Sequence, residues 1–290
     1  MIKYKIFSNA KINIGLNVFQ KESDGYHNID SIMVPIDLSD EMDVIFYSEN
    51  GELKIECSDS GIPTDERNIL SKTYKIFFES LKKENEKIDI FLKKNIPSEA
   101  GLGGGSSNAA FFLKLLNEHY GNIYNESELE ELAMKIGSDV PFFIKNKTAR
   151  VRGKGNKVEL IENNLKDSII LIKPLDFGVS TKEAYDSFDN LKEVKYADFD
   201  KIIDSLKKDN RIVLENNIEN NLEQGILETN IEVKMFKMTL NSVVSGKKFF
   251  MSGSGSTYYT FVTELEKSQI ETRLKTFVDN VKIIICKTIK

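Results

Sequence analysis

The chain has 290 residues, 40% hydrophobic and 29% charged, an ordinary composition for a globular protein of one large domain or two smaller ones. Lys and Arg number 40 against 45 Asp and Glu, a net charge of -5, and no basic stripe of the kind nucleic-acid binding needs is present. Met1 to Lys5 lacks the apolar core of a signal peptide, and apolar runs such as Ile169 to Ile172 are too short to span a bilayer, so the expected compartment is the cytoplasm. Cys57 and Cys286 form no C-x-x-C motif and no ligand cluster, which predicts two free thiols.

In chain order, Lys11 to Val18 alternates, with Ile12, Ile14, Leu16 and Val18 on one face, and predicts a half-buried strand. Asp24-Gly25 is a turn signal and implies a hairpin, followed at once by Tyr26 and His27. Met42 to Tyr47 and Leu53 to Cys57 read as strands. Ile69, Leu70, Tyr74, Phe77, Phe78 and Leu81 have helical spacing, and Asn68 stands where an N-cap would. Ile88 to Leu92 reads as a strand, Ala109 to Asn117 as a helix, and Glu126 to Ile136 as another. Thr148 to Arg152, Lys157 to Ile161 and Ser168 to Ile172 read as strands. Several helices follow, then strands at Lys248 to Met251, Thr257 to Val262 and Val281 to Lys287. Strands and helices mix without a strict βαβ rhythm, which predicts an α+β protein.

The most telling segment is Pro97, Ser98, Glu99, Ala100, Gly101, Leu102, Gly103, Gly104, Gly105, Ser106 and Ser107, between the strand ending at Leu92 and the helix reaching Asn117. Glycine lets backbone N–H groups approach a ligand closely, and a helix start adds unpaired donors and positive dipole. Strand, glycine loop and helix form a phosphate cradle. Read alone, such a run is equally a turn or flexible loop, but Ser106, Ser107 and Asn108 are all helix-capping types and Ala110, Leu113 and Leu116 continue at helical spacing. No lysine follows these glycines, as a Walker loop requires, and Ser106 occupies the third glycine position of a dinucleotide fingerprint.

Pro97 to Ala109 resembles the central motif of the GHMP kinases, P-x-x-x-G-L-[GA]-G-G-S-S-[ND]-A. The other two superfamily motifs are matched by Ala10 to Leu16 and by Met251 to Ser256. Asp24-Gly25-Tyr26-His27 and Gly137 to Phe142 look like the branch of 4-diphosphocytidyl-2-C-methyl-D-erythritol kinases, with the weakest likeness from Lys192 to Lys248. Glu99 stands where relatives often carry a small residue and should point outward. Ser256 stands where many carry proline or alanine.

The resemblance implies a two-lobed fold, an N-terminal lobe with mixed sheet and helices over residues 1–163 and a C-terminal lobe with antiparallel sheet and helices over 164–290. It implies ATP-dependent phosphorylation of a small-molecule hydroxyl, with Pro97 to Ser107, Asn68 and Lys94 binding ATP. Asp139 is then the base that takes the hydroxyl proton; by spacing alone it is an N-cap before Pro141. Lys11 faces solvent by strand pattern alone, whereas the resemblance sets it beside the acceptor hydroxyl. Tyr26 and His27 form a cytosine site, closed by Tyr185 after Thr181, and Asn13, Gly253, Ser254 and Gly255 complete the substrate contacts. Mg²⁺ is expected with ATP, held mainly by the triphosphate with Ser106 or Ser107 contributing, since no carboxylate cluster is apparent. The expected partner is a small molecule carrying a cytidine diphosphate group, with no nucleic acid or membrane, on a monomer or homodimer. Two readings stay open beside this one, a GHMP kinase acting on mevalonate, homoserine or a sugar, and a non-catalytic ligand-binding regulator of the same fold.

Overall fold

A computed structural model describes residues 1–289 and is α+β, with two sheets and ten helices among the described residues. The chain divides into two compact units that no single cut in the sequence separates. Met1–Ala10, Leu38–Pro97 and Gly103–Asn146 form the first; Lys11–Asp37, Ser98–Leu102 and the chain from Lys147 onward form the second. The division follows two long strands, β1 (Ile2–Lys21) and β2 (His27–Asn50), each of which contributes to both units, so the 163/164 cut falls inside the second unit.

In the first unit, β2 pairs antiparallel with β4 (Glu86–Lys93), Val44 opposite Ile90, and β3 (Leu53–Cys57) pairs parallel with β4, Ile55 opposite Ile90. Four helices belong here: α1 (Ile69–Leu81), α2 (Gly104–His119), α3 (Glu126–Ile136) and α4 (Val140–Lys145). Phe77 and Phe78 of α1 and Ala110, Leu113 and Leu116 of α2 are buried along the spacing read from the sequence. Asn68 caps α1, its Oδ1 accepting from the Leu70 N–H at 2.8 Å, and Asn125 and Glu128 form a capping box on α3. The helix expected from Ala109 begins five residues earlier. Its N-cap is Gly103, at φ +69° and with no side-chain cap bond, so Ser106, Ser107 and Asn108 lie inside the helix rather than capping it. Apolar spacing cannot register a first turn built of glycine and serine.

In the second unit, β2 pairs with β5 (Ala149–Gly153), and β5 with β6 (Lys157–Leu160), all antiparallel. A separate antiparallel sheet has the order β10-β7-β9-β8, from β7 (Ser168–Pro174), β8 (Phe250–Met251), β9 (Tyr258–Val262) and β10 (Val281–Cys286). Around it stand α5 (Thr181–Asp189), α6 (Phe199–Lys208), α7 (Arg211–Asn217), α8 (Asn221–Thr229), α9 (Ile231–Val243) and α10 (Glu264–Phe277). Every residue of β7 is buried, and Ile170, Ile172, Leu222, Ile226, Tyr258 and Leu274 form its core.

The half-buried strand expected at Lys11 to Val18 is buried on both faces. Its polar face, Lys11, Asn13 and Asn17, is covered by Gly101, Ser252 and Ala197, which are distant in sequence and invisible to a local pattern. Gly15, at φ +83°, lies on this stretch, and a β-carbon there would stand 3.0 Å from the Phe199 ring. Both cysteines are free, as expected.

Candidate active site

The glycine loop leaves β4 and enters α2. Glu99 is exposed with φ 49°, while Ala100 and Leu102 are buried and anchor the bend. Gly101 has φ +70°, and a β-carbon on it would lie 1.9 Å from the Ser252 carbonyl oxygen, so only glycine allows this packing of the loop on the third motif. With Gly103 as a cap lacking a side chain, the first-turn N–H groups of α2 keep the donors that the cradle reading requires. Ser107 is buried and its Oγ has no hydrogen-bond partner.

Lys94, in the first unit, is paired with Asp40, their side chains 7% and 0% exposed. Asp40 Oδ1 also accepts from the backbone N–H groups of Asn95 and Ile96, both at 2.8 Å. The lysine is thus held by a buried carboxylate that no motif in the sequence singled out.

In the second unit, Lys11 is 3% exposed. Its Nζ donates to Asn13 Oδ1 and to the Gly101 carbonyl at 3.0 Å, and its backbone N–H donates to Leu102 O at 3.0 Å. Asn13 Nδ2 donates to Ser31 Oγ at 2.8 Å, which donates to Gly15 O at 2.7 Å. Ser252 Oγ donates to Gly101 O at 2.9 Å. Gly253 has φ +56°, and a β-carbon there would come within 3.2 Å of both Lys11 Nζ and Asn13 Oδ1. Asn220 pins this third motif from behind, its Nδ2 donating to the carbonyls of Met251 and Gly253, each at 2.9 Å. The first motif, the start of the loop and the third motif therefore meet around one ammonium.

Asp139, half-buried in the first unit, is the N-cap residue of α4 with φ −89°, and Pro141 stands in the first turn. Its side chain makes no cap hydrogen bond to α4.

The hairpin between β1 and β2 closes through Glu22 N–H to Tyr26 O at 2.8 Å and Gly25 N–H to Glu22 O at 3.0 Å. It presents Tyr26 with 65% of its surface exposed and the Lys154 ammonium 5.6 Å from its ring centre. The His27 side chain is only 5% exposed. Its Nδ1 lies 2.7 Å from the Phe19 carbonyl oxygen, which makes Nδ1 the protonated nitrogen, and its ring lies 5.1 Å from that of Tyr185. Its Nε2 is buried without a hydrogen-bond partner and lies 3.4 Å from Asp189 Oδ1. Thr181 Oγ1 and Ser254 Oγ are 3.2 Å apart.

Residues 68–147 match the GHMP kinases N terminal domain. A 4-diphosphocytidyl-2-C-methyl-D-erythritol kinase of Fusobacterium nucleatum is 88% identical over 99% of the chain and 98% of its own length. The chain belongs to the 4-diphosphocytidyl-2-C-methyl-D-erythritol kinase family. A member from Persephonella marina is 42% identical over 90% of the chain and 93% of its own length. A crystal structure of a 4-(cytidine 5'-diphospho)-2C-methyl-D-erythritol kinase superposes with TM-score 0.78 at 24% identity, covering 98% of this chain and 99% of that one. A homoserine kinase from Cytophaga hutchinsonii does so with 0.72 at 18%, covering 99% and 97%, and these two likenesses speak for the shared GHMP kinase fold.

Of the residues expected in a site of this family, Lys11, Asn13, Gly101, Gly253, Tyr26, His27, Thr181, Tyr185, Ser254 and Gly255 fall in the second unit with Ser98, Glu99, Ala100 and Leu102. Asn68, Lys94, Pro97, Asp139 and Gly103 to Ser107 fall in the first. Asp40, Ser31, Ser252 and Asn220 were not singled out. A serine next to a glycine in a recognised motif was the one available signal, at Ser252.

Proposed function

We propose that the chain transfers the γ-phosphoryl group of ATP to the 2-hydroxyl of 4-diphosphocytidyl-2-C-methyl-D-erythritol, giving the 2-phosphate and ADP in non-mevalonate isoprenoid precursor biosynthesis, in the cytoplasm and as a monomer or homodimer. The observation that carries the mechanism is the near-total burial of Lys11 against Gly101 and the Gly253 turn. A buried ammonium at this turn stabilises an anionic oxygen brought against it.

In this reading the amides of Gly101 to Ser107 bind the triphosphate, and Lys94 and Asn68 belong to the nucleotide side. The base of the acceptor lies between Tyr26 and Tyr185, stacking worth about 1–3 kcal/mol per base. The hydroxyl oxygen attacks the γ-phosphorus, the bond to the β–γ bridging oxygen breaks, and the hydroxyl proton passes to the Asp139 carboxylate. Lys11 stabilises the growing charge on the attacking and transferring oxygens. Positioning accounts for most of the acceleration, because the transferring group needs little covalent help. Among the described residues no cluster of His, Cys, Asp or Glu could hold a metal alone, whereas the partnerless Ser107 Oγ suits a shared site. Mg²⁺ brought by ATP would take Ser107 or Ser106 as a protein ligand and neutralise phosphate charge.

The deciding assay is ADP release from ATP with 4-diphosphocytidyl-2-C-methyl-D-erythritol against methylerythritol lacking the cytidine, with mevalonate and homoserine alongside. Turnover with the cytidylyl acceptor alone is expected. Equal turnover without the cytidine would remove the role given to Tyr26 and Tyr185.

A further inference from the structure

Lys173 is the penultimate residue of the buried strand β7 and is only 9% exposed. Its Nζ donates to Ser256 Oγ at 2.6 Å and weakly to the Phe177 carbonyl at 3.5 Å. An ammonium has three donors, so one has no protein acceptor among the described residues. No carboxylate among them stands within ion-pair distance, and the residue opposite Lys173 on β10 is another cation, Lys282. Burying an unpaired charge is costly. Burial pushes the Lys173 ammonium below its ordinary value, with the more distant Glu99 carboxylate pulling the other way. A core strand that needed only to pack would carry an apolar residue here. The neighbouring Thr257 Oγ1 is also buried without a hydrogen-bond partner.

The surroundings say what an anion here would belong to. Ser256 follows directly on Gly255, and Ser254, one residue before that glycine, meets Thr181. The chain then runs from Lys173 past Phe177 to Thr181 and on to Tyr185, the aromatic that packs on His27. Tyr185, Thr181, Lys173 and Ser256 all belong to the second unit. We propose that Lys173 is a substrate-binding residue whose ammonium, seated against Ser256, takes a phosphate oxygen of the acceptor's cytidine diphosphate. This inference rests on the cytidylyl acceptor proposed above.

The test is calorimetric titration of the full chain with cytidine 5'-diphosphate and with cytidine, for the wild type and Lys173→Met, together with the Tm of each protein. The wild type is expected to prefer the diphosphate. In Lys173→Met that preference should fall by about tenfold or more while cytidine binding and Tm hold or Tm rises, since an unpaired buried charge has been removed. An unchanged preference overturns the assignment, as does a loss of Tm in which both ligands weaken together. If Lys173→Met does not fold, Lys173→Gln is read by the same criterion, and failure of both to fold makes the lysine structural and overturns it. A wild type that does not prefer the diphosphate at all overturns the cytidylyl acceptor itself, which is a different result from an unaffected Lys173 variant.

Discussion

Lys94 and Asp40 form an ion pair from which water is almost excluded, and Asn108 Nδ2 adds a bond to Asp40 Oδ2 at 3.0 Å. One carboxylate thereby ties the end of β4, the start of the glycine loop through the Asn95 and Ile96 amides, and the second turn of α2. Removing one partner of a buried pair leaves an uncompensated charge at a cost of about 3–5 kcal/mol. Asp40→Asn is therefore expected to lower unfolding stability by about that much in urea titration, and Asp40→Asn with Lys94→Met by clearly less than the sum of the two single changes. Additive losses would mean that the pair contributes nothing as a pair.

In the proposed mechanism the Lys11 and Asp139 charges separate by role. Asp139→Asn should lower kcat by about 10²–10⁴ with little change in the KM of either substrate, as loss of a general base does. Lys11→Met should lower kcat and also raise the KM for ATP, because in that mechanism its ammonium faces a ground-state anion as well as the transferring group. Near-normal kcat in Asp139→Asn would remove that residue from proton transfer.

Glycines 101 and 25 form a controlled comparison. Both have positive φ, +70° and +84°, but a β-carbon meets the Ser252 carbonyl at 1.9 Å in one case and nothing within 4 Å in the other. Gly25→Ala is expected to cost only the backbone penalty of about 1–2 kcal/mol. Gly101→Ala must also displace the third motif, and its urea midpoint should fall much further while ATP binding weakens. Equal midpoints for the two variants would show that loop and third motif do not depend on this contact.

Acid sensitivity has a local source in the second unit. Burial of Glu266 opposes its ionisation, but the Thr263 amide, the Lys247 ammonium and the Arg211 guanidinium outweigh it and hold the carboxyl down at about 2, against an ordinary 4.5. The Lys247 and Arg211 contacts are both 2.9 Å long. A depressed carboxylate contributes stability that is full above its unfolded value and is lost as pH falls toward the folded one. Glu266→Gln should therefore be less stable than wild type at pH 7, and the gap should narrow below about pH 4.5 and close near pH 2. A gap independent of pH in urea titrations would assign the loss to packing instead.

Much of the architecture was legible locally. The strand Leu53–Cys57 and the helix Glu126–Ile136 lie where their periodicity places them, because each buries one face and its pattern records which. The start of α2 was missed by five residues because glycine and serine carry no apolar period. Lys11 is the sharper case. Strand alternation alone turned it to solvent, and only its position in a motif pointed inward.

Local order, by itself, determined the elements and the three glycine-bearing motifs, since hydrophobic period and backbone freedom are properties of neighbouring residues. Tertiary structure alone decided which polar groups are buried and what they face: Lys11 against Gly101, Lys94 against Asp40, Asn220 behind Gly253, Lys173 against Ser256. These pairings join residues 90, 54, 33 and 83 positions apart in the chain. Burial of a charge is a property of the space around it, and that space is assembled from segments that no window along the chain contains.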